Sequence, residues 1–357
     1  DCLLSRGLGD VYKRQIINMH GDGYTTLDGG WLFCGSSNQT AIKAKYKAVW
    51  KQIATKFKNY DQHLVFESMN EEFDGTYGTP SSTAYANINA YNQIFVDTVR
   101  QTGGNNAKRW LMIPGWNTNI TYTVGNYGFS LPTDNYRDSS ISTPRIMISV
   151  HYYDPWDFCG EESSNVTQWG DTATNSSKIS SWGDESALKS QFSSLYNKFV
   201  AAGYPVVIGE YGSIDKSAYD STSAAQRAEF AKKVCTYAKK YGMVPVLWDN
   251  GYTGTYGFGV IDRSTCKVTQ QKIIDAIASV YPKSSSSNSS NSSNSSASSL
   301  EGTYYIKSSF SGLYLDVANG SASNNANVQQ YTYTGTDRQK FKLVKDSATG
   351  YYYICLL

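Results

Sequence analysis

The chain has 357 residues, and 32 Lys+Arg against 30 Asp+Glu leave a net charge of +2, too even to track a nucleic-acid backbone or an anionic membrane surface. Nowhere do 18 apolar residues run together, so no stretch is long enough to span a bilayer as a helix. Aromatic residues reach 14%, with 29 Tyr and 8 Trp, while charged residues supply only 17%, a mixture of flat apolar rings, amides and hydroxyls that suits neutral, hydroxyl-bearing ring ligands.

Residues 1–15 show no strand or helix pattern and read as a non-native leader resembling a translated adapter, without the charged and apolar regions of a signal peptide. From Ile16 onward, short apolar runs alternate with helical patterns, the signature of repeated βα units around a parallel sheet. The runs begin at Ile16, Leu64, Trp110, Ile146, Val206 and Val244 or Pro245. After the first, Ile42, Tyr46, Val49, Trp50, Ile53 and Phe57 share one helix face, with Lys43, Lys47, Lys51 and Lys58 on the solvated side. Before the last, Phe230, Val234 and Tyr241 mark another helix, which Gly242 ends. Six units at about 46 residues each fall short of the eight in a closed (β/α)8 barrel. The expectation is therefore an α/β (β/α)8 TIM barrel lacking its first two units over residues 16–283. A linker at 284–299, where 12 Ser, 3 Asn and 1 Ala fill every position, leads to a Tyr-rich tail at 300–357.

Polar residues gather where the strands end, the face on which barrels build active sites. His20 follows the first strand, Asn70-Glu71 the second, His151 and Tyr153 the fourth, Glu210 the fifth and Trp248 the sixth. Glu71 and Glu210, three units apart, would converge across the mouth, and two facing carboxyl groups are what glycoside hydrolysis requires.

Phe66-Glu67-Ser68-Met69-Asn70-Glu71, His151-Tyr152-Tyr153 and Val207-Ile208-Gly209-Glu210-Tyr211-Gly212, followed by Trp248, resemble glycoside hydrolase family 5. The resemblance runs from Ile16 to about Pro282 and implies a retaining enzyme, chiefly an endo-β-1,4-glucanase; mannanase or xyloglucanase activity is the alternative, as is a catalytically silent carbohydrate-binding protein. It implies Glu71 as acid/base, Glu210 as nucleophile, Asn70 on the sugar 2-OH, His20 and His151 as sugar contacts, Tyr153 as the hydroxyl that orients the nucleophile and Trp248 as a stacking platform. Two departures stand out. Glu72 occupies the position where the family usually has Pro, and is expected either to raise the pKa of Glu71 by repulsion or to point to solvent. No residue matches the family arginine that supports the nucleophile. Glu67 is expected inside the barrel beside a polar partner, and His63, on the opposite face, is expected to be incidental.

The tail, with Gly302 to Ile306, Gly312 to Val317 and Gln339-Lys340-Phe341, resembles one repeat of a ricin-B-type β-trefoil, the fold of family 13 carbohydrate-binding modules. That implies a partial sugar-binding domain with Asp316 as the sugar-binding aspartate, and Tyr351 to Leu357 as the start of a second repeat. Six Cys without C-x-x-C or zinc-type Cys/His spacing argue against a structural metal, and no cofactor is expected. Cys34 and Cys159, both near strand ends on the rim, are expected to pair in an oxidising compartment, and Cys235 with Cys266 is a second possible pair. Asn-x-Ser/Thr triplets and the family resemblance point to a secreted monomer acting on β-glucan, with no nucleic-acid or membrane partner.

Overall fold

The computed structural model describes residues 14–24, 28–281, 301–308, 311–323, 326–345 and 352–356, so the linker and all of the leader except its last two residues lie outside the described residues. The chain forms two compact units, residues 1–283 and 284–357.

In the first unit, strands β1 (Gln15–Ile17), β2 (Leu64–Glu67), β3 (Leu111–Pro114), β4 (Ile146–Tyr152), β5 (Val206–Tyr211) and β6 (Val244–Leu247) form one parallel sheet in sequential order. This is an open half-barrel, part of a (β/α)8 barrel. The long helices are α1 (Gln39–Phe57), α2 (Ser82–Gln101), α3 (Glu185–Lys198), α4 (Ser223–Lys240) and α5 (Gln271–Val280). Strands β2 and β3 are buried throughout, as apolar runs covered on both faces should be. The outer strands are different: Ile16 on β1 and Val244 and Val246 on β6 are exposed, because each of these strands has a sheet neighbour on one side only among the described residues.

Local signals account for the helix ends. Ser81 and Asp184 accept hydrogen bonds from the backbone N–H groups of Ala84 and Ala187, capping α2 and α3. After α4, Gly242 adopts φ +69°, and its N–H and that of Met243 bond back to Lys239 and Ala238, the glycine stop expected there.

The α1 stripe does more than fill the core. Tyr46 Oη and Trp50 Nε1 both donate to the Ser68 carbonyl, at 2.8 and 3.0 Å, fixing the chain just beyond β2. Ser68 Oγ donates to Asn92 Oδ1 on α2, and Asn92 Nδ2 donates to the Pro114 carbonyl at the end of β3. Two strand ends are thus tied through one buried amide. At the opposite end of the sheet the buried Arg109 guanidinium donates to the carbonyls of Phe57, Tyr60, Asp61 and Leu64. The His63 side chain, also at that end, pairs with Asp61.

The second unit is all β. Strands β10 (Tyr314–Val317) and β11 (Val328–Tyr331) form an antiparallel pair, and β13 (Tyr352–Leu356), β12 (Lys340–Lys345) and β9 (Gly302–Tyr305) form a three-stranded antiparallel sheet in that order. Two short strands in the first unit, β7 (Ile261–Asp262) and β8 (Lys267–Val268), pair after β6.

The expected disulfides do not form. Cys34 and Cys159 are both free and buried, and Cys235 and Cys266 are also free. The Cys34 N–H bonds to the Glu72 carboxyl group, and Cys159 ends a short helix (Trp156–Cys159) whose final carbonyl accepts from Ile214 N. Cys235 meets the Tyr211 hydroxyl at 3.2 Å, while Cys266 is on the surface.

Candidate active site

Gly209 sets the geometry of the rim. Between β4 and β5 the register skips it, so that Val150 faces Ile208 and the next pair is His151 with Glu210. A Cβ on Gly209 would stand 3.0 Å from Ser149 Oγ and 3.3 Å from His151 Nε2, so a larger residue before the carboxylate would press on both side chains. The irregularity brings Glu210 opposite His151.

Glu71, His151 and Glu210 meet. One donor atom from each lies within 4.8 Å of the others. His151 Nδ1 stands 2.8 Å from Glu71 Oε1 and 3.4 Å from Glu210 Oε2, so one imidazole bridges both carboxyl groups. Three such donors at this spacing could hold a cation, but the Nδ1 that would ligate it is already committed to the two carboxylates, which leaves the trio a proton-sharing cluster. Tyr153 donates to Glu210 Oε2 at 2.9 Å. Tyr24 donates to Glu71 Oε2 at 2.9 Å and accepts from Asn70 Nδ2 at 3.0 Å. Asn70 Oδ1 is buried without a hydrogen-bond partner among the described residues.

The electrostatics follow from these contacts. Burial would lift the Glu71 carboxyl, but the hydrogen bond and charge of His151, with the Tyr24 hydroxyl, bring it below its ordinary value. Burial lifts Glu210, and His151 and Tyr153 offset this only in part against the repulsion of Glu71 and Glu67. Burial would lower His151, yet its bond to Glu71 and the charges of Glu210, Glu71 and Glu67 raise it, so the imidazole holds a proton more readily than usual. Among the described residues His151 is the only ion-pair partner of Glu210.

Beneath the trio, buried Glu67 accepts from Asn18 Nδ2 and Ser149 Oγ, as an interior carboxyl with polar partners should, and burial raises its pKa. His20 stacks on Trp248, rings 5.8 Å apart and 5° from parallel, and burial lowers its pKa. Both line an open cleft that also includes Asn70, His151 and Glu210.

Two expectations change. Glu72 neither faces Glu71 nor points to solvent; it is 2% exposed and turns under the loop after β1, because the chain leaves the strand here and consecutive side chains diverge. Asp316 is fully buried in the second unit, its carboxylate taken up by Gln329 Nε2, Gln339 Nε2 and Arg338 Nε at 3.1, 3.0 and 3.0 Å. It is a hub holding β10 to the Gln339 turn, remote from solvent. Tyr24 was not foreseen. It sits on an irregular loop with no periodicity to mark it, and its only sequence signal is closeness to His20 at a strand end.

Residues 11–254 match the sequence profile of Cellulase (glycosyl hydrolase family 5), and residues 294–355 match Ricin-type beta-trefoil lectin domain-like. Endoglucanase A of Paenibacillus barcinonensis is 62% identical over 264 residues, covering 73% of this chain and 66% of that protein. Endoglucanase A of Clostridium longisporum is 33% identical, covering 76% of this chain and 48% of its own length, so the chain spans half to two-thirds of these relatives. Among solved structures, the family 5 xyloglucanase from Paenibacillus pabuli, in complex with a ligand, superposes with a TM-score of 0.73 at 66% identity over 74% of both chains.

Proposed function

Because this chain belongs to glycosyl hydrolase family 5, we propose that its barrel serves a retaining endo-β-1,4-glucanase, in which Glu210 is the nucleophile and Glu71 the acid/base. The observation that carries this reading is the close approach of the two carboxyl groups. Retaining enzymes hold theirs about 5 to 5.5 Å apart, whereas inverting enzymes need about 6.5 to 9.5 Å to admit a water. Here one carboxyl oxygen of Glu71 lies within 4.8 Å of one of Glu210, a close approach that favours the retaining arrangement.

In the first step a Glu210 oxygen bonds to the anomeric carbon as the glycosidic C–O bond breaks, and the Glu71 proton passes to the departing oxygen. In the second, Glu71 takes a proton from water, which displaces Glu210 and regenerates both carboxyl groups. Tyr153 orients Glu210. Asn70, whose buried Oδ1 has no donor among the described residues, suits a sugar hydroxyl, and the stacked His20 and Trp248 offer a flat face for a ring. The acid must be protonated at the outset, and His151, 2.8 Å from Glu71 and inclined by its carboxyl neighbours to hold a proton, is placed to supply it.

The test is Glu210→Ala, which should abolish turnover, with external azide restoring it as a glycosyl azide of inverted anomeric configuration. If azide rescued Glu71→Ala through that inverted product instead, the two roles would be exchanged. The likeness to the Paenibacillus pabuli xyloglucanase favours xyloglucan as a second substrate reading. Reducing-end release from carboxymethylcellulose, mannan and xyloglucan, measured side by side, separates the specificities. Secretion and a sugar-binding tail complete the proposal, supported by the family and by the lectin-like match.

A further inference from the structure

The loop after β1 is held by a carboxyl group that the proposed chemistry does not use. Glu72 Oε1 accepts from the Cys34 N–H at 3.2 Å, and the buried Cys34 thiol is close enough to the same carboxyl for the two to influence each other's titration. Its other oxygen lies against Gly23, where a Cβ would stand 1.7 Å from Oε2, so the loop backbone rests directly on the carboxyl. The residue after Gly23 is Tyr24, whose hydroxyl bridges Glu71 and Asn70. The backbone carbonyl of Glu72 accepts from Asn117 N, which anchors it from below.

We infer that Glu72 is a positioning residue: seated between Gly23 and Cys34, its carboxyl sets the height of the loop so that Tyr24 engages Glu71 and Asn70. The inference rests on the reading of Glu71 as acid/base. The neutral carboxyl is the form that fits, since the titratable groups facing this cluster are Asp22 on the loop, Cys34, Asp74, Tyr46 on α1 and Tyr91 on α2, none of them cationic. Burial, with the charge of Asp22, pushes Glu72 from 4.5 up to about 8. Its contribution is therefore complete below pH 4.5 and is lost as pH rises through about 8. Ionisation then sets a carboxylate beside Asp22 and loosens the loop.

The experiment follows Cys34 alkylation, by peptide mass spectrometry, and kcat between pH 6 and 9.5 in the full chain. It compares wild type, Glu72→Gln, Glu72→Ala and Gly23→Ala. The Gln side chain keeps the neutral shape, so Glu72→Gln should retain activity, and the wild-type to Gln ratio of Cys34 alkylation should rise roughly tenfold between pH 7 and 9. Glu72→Ala and Gly23→Ala should expose Cys34 at every pH. They should lower kcat by up to about 100-fold on oligosaccharides, and far less on aryl glycosides whose leaving group needs no proton. Overlaid pH profiles for wild type and Glu72→Gln, or an unchanged kcat in Glu72→Ala, would overturn the inference. If instead Glu71 is not the acid, the alkylation ratio still rises while the rate loss is equal on both substrate types, so the two failures are distinguishable.

Discussion

Replacing His151 with Asn tests the electrostatic core of the site. When protonated, His151 offsets the charge of two carboxyl groups that each have an oxygen within 4.8 Å of the other's. Without it they repel by about 3.5 kcal/mol at an effective dielectric of about 20, a factor of a few hundred against the doubly ionised state. The variant should therefore need a higher pH before Glu210 can ionise, and the acidic limb of its kcat/KM profile should move upward with a fall in activity near pH 5. Stability gives an independent check. The raised His151 pKa contributes stability that is complete below the ordinary 6.5 and is lost as pH rises through its folded value, while the lowered Glu71 contributes above 4.5 and is lost as pH falls through its own. The deficit of His151→Asn in thermal melting should accordingly be largest at mildly acidic pH and shrink toward pH 9. A pH–rate profile that overlays wild type, or a melting deficit that does not vary with pH, would refute the reasoning.

Gly209→Ala should fold with a penalty of about 1 to 3 kcal/mol yet lose most of its activity, because the new methyl displaces His151 and Ser149; a variant with wild-type kcat would show that the register shift is not what seats Glu210. Asp316→Ala strands the buried Gln339 amide and removes the partner of the part-exposed Arg338, at about 1 to 3 kcal/mol, so limited proteolysis should cut the second unit while the barrel melts as before. Loss of sugar binding with the tail still resistant would place Asp316 in an open sugar site.

Strand positions were legible because each is a short apolar run bounded by polar loops, and the observed starts fall within one residue of those read from the sequence. Glu71, His151 and Glu210 were legible for the same reason, since a residue at a strand end inherits its place from the strand. What was hidden lies on irregular backbone. Position near the rim could not say that Cys34 and Cys159 each have other neighbours, because loops of equal height in the barrel still differ in which way a side chain turns. Glu72 shows the same limit one residue from Glu71. Asp316 was recognisable as part of a motif, but its burial depends on Gln329 and Arg338, whose convergence only the folded turn reveals.

The proposed roles ask for Glu71 protonated and Glu210 ionised, and the free site leans the other way, with Glu71 lowered and Glu210 raised. Substrate supplies the correction through unequal desolvation. The Glu71 side chain is still 29% exposed and Glu210 only 12%, so a sugar bound across both carboxyl groups has more of Glu71 than of Glu210 left to cover. Burial is already the largest influence lifting Glu71, held in check by His151. Covering it further draws the shared proton across the 2.8 Å contact from His151 to Glu71. Glu210 then faces a neutral acid in place of a carboxylate, and the repulsion that raised it falls away. On this account the acid is armed by the occupied cleft, and a bound but unreactive cellooligosaccharide should by itself raise the pKa of Glu71 and lower that of Glu210, which carbon-13 carboxyl NMR can read. Unmoved carboxyl titrations in the complex would mean that the free site's order persists and that the two roles need another source of polarisation.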